Sequence, residues 1–354
     1  SVRRSEPEFY FKKALNWSAT TMGGSSFRIT NNKTSSTAAP SLYFKNDDDL
    51  YVSLALLNSC ISQVYMDLLN PTVGLKLANV EAVPAINFKK MAVLLRSSCE
   101  NNIALSKEDW DSYEISWDFQ QHPLVKRKEL HSLEKCYLTW KTECENRFLK
   151  MKDNEEHINV VILKEYGLEN EVSCEVPEKS ISVHRIFDTK EDIPVSMDGS
   201  YYVRTKRDEI VSLISYSVGC MFGRYSLDKK GIVNAGAPLN VNEYVSFSVD
   251  KDNIIPICDD EYFKDDIVGR FVEFIKIVYG VDSLDDNLTF IAKALGGKGN
   301  PREIIRNYFV NDFYKEHCAT YSGTVGKRPI YWLFDAGKNN SFKALIYMHR
   351  YQPD

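Results

Sequence analysis

The residues best suited to chemistry lie near the start of the chain. Asn16-Trp17-Ser18 is followed by Gly23-Gly24-Ser25-Ser26-Phe27-Arg28 and then by Asn31-Asn32-Lys33. Arg, Lys, Asn and Ser side chains bond to phosphates and base edges, a Trp ring stacks, and glycines let a loop enter a groove. Trp17, Ser18, Ser25, Ser26, Arg28, Asn31 and Lys33 are therefore the candidate contacts to DNA. A solvated surface loop accounts for the same pattern. Further on, Asp259, Asp260, Glu261, Asp265 and Asp266 form an acidic run of the kind that holds a divalent ion. Asp265 and Asp266 also suit the first turn of a helix, where the dipole favours negative charge.

Other chemistries find little support. An exocyclic amino-methyltransferase uses a Gly-rich turn for S-adenosylmethionine and an Asn/Asp-Pro-Pro-aromatic loop for the target amine, and neither occurs in these residues. Asn70-Pro71-Thr72 and Asn300-Pro301-Arg302 lack the second Pro and the aromatic and read as helix punctuation. Gly296-Gly297-Lys298-Gly299 and Gly326-Lys327-Arg328 lack the Lys-Ser/Thr of a phosphate loop. His122 and His317 have no nucleophile arranged beside them and read as structural. No catalytic, cofactor or metal residue is assigned.

The 354 residues carry a net charge of −5, with 44% hydrophobic and 26% charged residues. This is the composition of a folded chain of two or three domains. Residues 1–105 hold eleven Lys/Arg against eight Asp/Glu and the remainder 33 against 41, so the first third is the better place to seek DNA contacts. Eight cysteines without a CxxC pair suit a reduced, cytoplasmic setting. The apolar stretch Leu50–Leu69 is broken by Ser53, Asn58, Ser59, Gln63 and Asp67, too polar for a bilayer span. With no initiator Met, the chain reads as a fragment of a longer protein.

The expected fold is α+β: a mixed recognition lobe over residues 1–105, then a mainly helical region over 106–354 with a mixed insert at about 153–207 and a C-terminal hairpin at about 329–348. In the lobe, short strands flank a long mobile Ser/Thr/Gly loop. Asn46 and Asp47–Asp49 cap a helix reaching Asn70, with Leu54, Leu57, Ile61, Val64 and Leu68 on its buried face. Val80–Ile86 reads as an edge strand, and DWDSYEISWDFQQHPLV as a connector pinned by aromatics. The spacing of Leu130, Leu133, Tyr137, Trp140, Cys144 and Phe148 predicts a helix over 126–151. Further helices are expected over 207–225, where Gly219 and Gly223 admit a close neighbour, over 265–279, after a Ser283 cap, and from Asn300 to about Ala319. Residues 329–334 and 341–347 read as a hairpin.

Particular phrases add a resemblance. SLALLNSCISQVYMDLLNPTVGLKLANVEAVPAI resembles the Leu-Asn-Ser helix and following strand of target-recognition domains of DNA methyltransferases. DWDSYEISWDFQQHPLV, YSVGCMFGRYSLD, DDEYFKDDIVGRFVEFIKIVYG, IIRNYFVNDFYKEHCATYS and RPIYWLFDAGKNNSFKALIYMHRYQPD resemble, in order, successive signatures of the PglX family. These are adenine-specific DNA methyltransferases of BREX phage-defence systems, related to single-chain type IIL restriction-modification enzymes, and the likeness spans essentially residues 8–354. It implies a parent that transfers methyl from S-adenosylmethionine to adenine N6 in double-stranded DNA, marking self DNA, with its catalytic half upstream of Ser1. This chain would then supply recognition and scaffold, without cofactor or methyl transfer of its own. FYFKKALNWSATTMGGSSFRIT corresponds to part of the recognition domain; Trp17 and Ser18 match its usual Trp-Ser, and Gly23–Ser26 is a variant of its Ser-Gly stretch. The later signatures, Ser116–Phe119 among them, imply a scaffold with core aromatics. The competing reading is a platform on which the acidic region docks other BREX proteins.

Overall fold

A computed structural model describes residues 7–21, 24–34, 36–69, 72–236, 238–322, 329–337 and 342–350. The chain is α+β and dominated by helix, and it divides into two compact units, residues 1–107 with 147–183, and 108–146 with 184–354.

The first unit opens with three short antiparallel strands, β1 (Ala14–Trp17), β2 (Phe27–Thr30) and β3 (Ser41–Leu42), ordered β2-β1-β3. Trp17 pairs with Phe27, Asn16 with both Arg28 and Ser41, and Leu15 with both Ile29 and Leu42. Period-two alternation therefore puts Leu15, Trp17 and Phe27 on the buried face and Asn16, Arg28 and Ser41 on the other. Helices α1 (Asp47–Asn58), α2 (Cys60–Leu69), α3 (Leu77–Glu81) and α4 (Phe88–Trp110) follow. Asn46 caps α1 as expected, its Oδ1 accepting from Asp49 N at 2.8 Å.

The single helix expected over 46–70 is two. Ser59 is extended (φ −72°, ψ 158°) and its hydroxyl donates to Leu56 O at 2.6 Å, the backbone competition that Ser brings to a helix. The break leaves Val64 and Leu68 exposed, while Val52, Ala55 and Leu56 join Leu57 and Ile61 in the core. The expected Asn70-Pro71 stop lies outside the described residues. Val80–Ile86 is not a strand: Leu77–Glu81 is a helical turn, and Val80, Val83 and Ile86 are buried at a spacing of three. Ile158, Ile162 and Leu163 complete this core. They belong to α5 (Leu133–Tyr166), which begins later and runs further than 126–151 because residues 125–130 form a 3-10 turn that His131 closes at φ +55°. Residues 153–166 of the expected mixed insert are thus helix.

In the second unit, β4 (Arg185–Phe187) and β5 (Val203–Thr205) pair in parallel, and α6 (Lys206–Met221) follows behind a capping box of Thr205 and Asp208. Gly219 meets the expectation of a close neighbour, since a Cβ there would lie 2.5 Å from Tyr225 Cδ2. The expected hairpin is part of a three-stranded sheet, β6 (Ile254–Cys258), β7 (Tyr331–Asp335) and β8 (Phe342–Tyr347), ordered β6-β8-β7. The β-branched run that forms β6 was passed over in the sequence reading, and the hairpin tip at 338–341 lies outside the described residues. Between β6 and β7 run α7 (Ile267–Tyr279), α8 (Leu284–Ala294), α9 (Pro301–Tyr308) and α10 (Tyr314–Ser322). A π-helical turn over 309–313 interrupts the last helix pair, and Lys343 Nζ donates to Val310 O there at 2.8 Å. Asn300 caps α9 through Arg302 N. Ser283 does not cap α8; its hydroxyl donates to Tyr279 O instead. The aromatic core expected at 110–119 holds for Tyr113 and Phe119, whereas Trp110 is half exposed and Trp117 is 97% exposed.

Among the described residues no single helix is long and apolar enough to cross a membrane. The pair α1 and α2 reaches that length only together and is bent by 67°.

Candidate nucleic-acid interface

The site is built on the solvent face of the β2-β1-β3 sheet. Asn16, at its centre, accepts from the Thr30 hydroxyl and donates through Nδ2 to Pro40 O at 3.2 Å and Ser41 Oγ at 2.5 Å. One amide thereby ties all three strands, and Arg28 stands exposed at the cross-strand position beside it. Beneath β2, Asn58 acts as a clamp: Phe27 N donates to its Oδ1 at 2.9 Å and its Nδ2 donates to Phe27 O at 3.0 Å. This explains the Leu57-Asn58-Ser59 phrase locally, since the helix-ending Asn takes the place of a strand neighbour for the residue preceding Arg28.

The sequence-derived candidates do not form one cluster. Ser18, Ser25 and Ser26 sit at the Trp17–Phe27 end of the hairpin, with Ser25 N donating to Gln63 Oε1 at 3.0 Å. Asn31 and Lys33 follow the opposite end and are exposed, a strand length of ~10 Å away. Trp17 requires a correction: it is 3% exposed, its ring packs 5.5 Å from Phe27, and its Nε1 donates to Leu75 O at 3.1 Å. A ring so covered presents no face to a base, so Trp17 positions the sheet.

The structure adds residues that the reading along the chain passed over. Phe11 N donates to Lys33 O at 3.2 Å, bringing Phe11 and Lys12 beside Lys33. Phe11 is 63% exposed at φ +62°, and Lys12 and Lys33 are exposed, so cations and an aromatic ring meet at one end of the hairpin. Lys13 is otherwise engaged. Burial works against its charge, but Asp47 at 3.0 Å and the Tyr51 hydroxyl outweigh it and raise its pKa. The expected mobile loop is held where it is described: Ala19 N donates to Ala38 O at 2.9 Å, Thr21 N to Val73 O at 2.9 Å, and Leu75 N to Ala19 O at 2.8 Å. Gly23 lies outside the described residues. Asn16 stood in the first motif but not among the candidate contacts, and the alternation Leu15-Asn16-Trp17 was the signal for its place on the polar face; the Phe11–Lys33 contact left none.

The other candidates resolve as structure. Burial lowers His122 to about 3 and His317 to about 4. His122 Nδ1 accepts from Leu124 N, and His317 Nε2 accepts from Ile330 N. In the acidic run, Asp266 caps α7 through Val268 N and Gly269 N and pairs with Arg306 at 2.8 and 2.9 Å. Among the described residues, the carboxylates that gather within 4.8 Å of one another are Asp250, Asp252 and Asp265. Two of these were not among the sequence candidates.

No protein-family model matches the chain. It is 37% identical over 353 residues to the adenine-specific methyltransferase PglX of Lacticaseibacillus casei (strain Zhang), and 31% identical over 361 residues to the adenine-specific methyltransferase BrxX of Escherichia coli O9:H4 (strain HS). Each match covers 97% of this chain and 27% or 29% of the relative, so the chain spans under a third of their length. Both relatives are of one class, the adenine-specific methyltransferases. Over nearly its whole length the chain is similar to one segment of PglX-family proteins.

Proposed function

We propose that this chain is a DNA target-recognition and scaffold segment of a BREX adenine-specific methyltransferase. The whole protein would transfer methyl from S-adenosylmethionine to adenine N6 of double-stranded DNA in the cytoplasm, as self-marking in phage defence. The segment itself binds no cofactor and transfers no methyl group. The observation that carries the DNA reading is the β2-β1-β3 sheet, with Arg28 on its polar face and Phe11, Lys12, Asn31 and Lys33 gathered at its end. Cations spaced along a polar face meet phosphates, while Asn and Ser groups between them have the donors and acceptors that read base edges. The helical second unit serves as scaffold.

Fluorescence anisotropy of the chain with random-sequence duplex, across a salt series, tests this. Binding should fall steeply with salt, and Arg28→Ala and Lys33→Ala should each reduce the log–log slope by roughly 0.9, the share of one neutralised phosphate. Absence of binding at low salt, or an unchanged slope in both variants, overturns the reading.

A further inference from the structure

The β6-β8-β7 sheet carries large apolar side chains on both faces, with Lys343 and Asp335 a polar pair on the inner one. Ile255, Ile257, Leu345, Tyr331 and Tyr347 face the core of the second unit. On the opposite face the register aligns Trp332, Ile346 and Ile254 in a row across all three strands, with Phe334 and Phe342 continuing it. Phe334 and Phe263 flank Phe342 at ring distances of 6.2 and 6.0 Å. Trp332, Phe334, Phe263 and Ile254 are 57, 56, 45 and 42% exposed. A sheet face of this composition is ordinarily covered by a second layer, and a contiguous apolar patch marks an interaction site. Along β7, His317 accepts from Tyr331 N. On the outer face Trp332, Phe334 and Ile254 stand open, while Pro256, Ala344 and Cys258 between and beside them are buried.

Its border is acidic. Asp259, Asp260 and Glu261 are exposed immediately before Tyr262 and Phe263, on a loop whose backbone Arg306 holds through the carbonyls of Cys258 and Asp260. Asp250, Asp252 and Asp265 gather beside the Ile254 end, where Arg350 donates to Asp250 O. Residues 250–266 contain seven carboxylates and two lysines. We propose that this face docks a basic amphipathic helix of a partner protein, its apolar stripe on Trp332, Phe334, Phe263 and Ile254 and its Lys/Arg groups on the flanking carboxylates. Three strands ~4.8 Å apart form a strip ~10 Å wide, the diameter of one helix. The same carboxylates repel nucleic acid and anionic lipid. The inference deepens the docking reading of the acidic region and makes no use of Arg28 or Lys33, so its failure and that of the DNA reading are separately visible.

The test is anisotropy of a labelled amphipathic Leu/Lys peptide titrated with the full chain at moderate salt, with a Leu/Glu peptide as control. The Lys peptide should bind and the Glu peptide should not. Trp332→Ser with Phe334→Ser, at exposed positions, should weaken binding roughly tenfold or more, as removal of aromatic anchors does, with the thermal melt unchanged. Asp259→Ala with Asp260→Ala and Glu261→Ala should weaken it and flatten its salt dependence, which keeps the proposal testable if the first variant does not fold. Lack of binding by the Lys peptide, equal binding of the two peptides, or full binding by both variants overturns it.

Discussion

Arg306 and Asp266 fix the loop that borders the apolar sheet face, and breaking their pair should be costly. The Asp266 side chain is 1% exposed and that of Arg306 13%. Two bonds at 2.8 and 2.9 Å join them, and Arg306 also donates to Cys258 O at 2.9 Å. Arg306→Leu leaves a carboxylate buried without its cation, a loss of about 3–5 kcal/mol. At ~2–4 °C per kcal/mol for a unit of this size, the melting temperature should fall by about 10 °C. Asp266→Asn keeps the oxygen that caps α7 but strands the guanidinium, with a comparable cost. The double variant removes both charges and retains the cap, so it should be less destabilised than the two singles combined, by at least about 2 kcal/mol. Urea and thermal unfolding of the four proteins measure this. Strict additivity of the two losses would refute a coupled buried pair.

Asn58→Ala removes both bonds to Phe27 and should cost about 1–3 kcal/mol, read by thermal unfolding, with weaker DNA binding through the loosened β2. Gly219→Ala places a methyl group 2.5 and 2.9 Å from Tyr225 ring carbons; that ring is 1% exposed and stacks on Tyr216 at 5.1 Å, so a loss of about 1–3 kcal/mol is expected in the same assay. Burial, then the neighbouring Asp252 and Asp265, raises Asp250 to about 6. An acid with a raised folded pKa binds more protons folded than unfolded between pH ~4 and 6, so stability from this group falls as pH rises through that window. Asp250→Asn should therefore gain up to about 3 kcal/mol relative to the parent chain at pH 7 and nothing below pH 4, as measured by denaturant melts across pH.

Local rules determined much of this protein from sequence alone. Asn46 and Asn300 cap the helices their side chains announce, Gly280 stops α7, and the apolar spacing from Leu133 to Phe148 lies on a helix, because each depends on neighbours within a turn or two. The phrases carrying the family resemblance were legible for a different reason, as strings of residues in order. Tertiary structure alone decided what depends on distant partners. Trp17 has the type of a stacking residue, but Leu75, 58 positions later, takes its N–H and the core takes its ring. Asn58 reads as an ordinary helix residue until Phe27 lies across it. The cluster of Lys12 and Lys33 exists only because Phe11 turns through a left-handed backbone to reach the Lys33 carbonyl. The apolar outer face of the β6-β8-β7 sheet forms only when β6, separated from the hairpin by four helices, enters with Ile254 in register with Ile346. Pairings of this range carry no signature in the local pattern, since what fixes them is the packing of the remaining core.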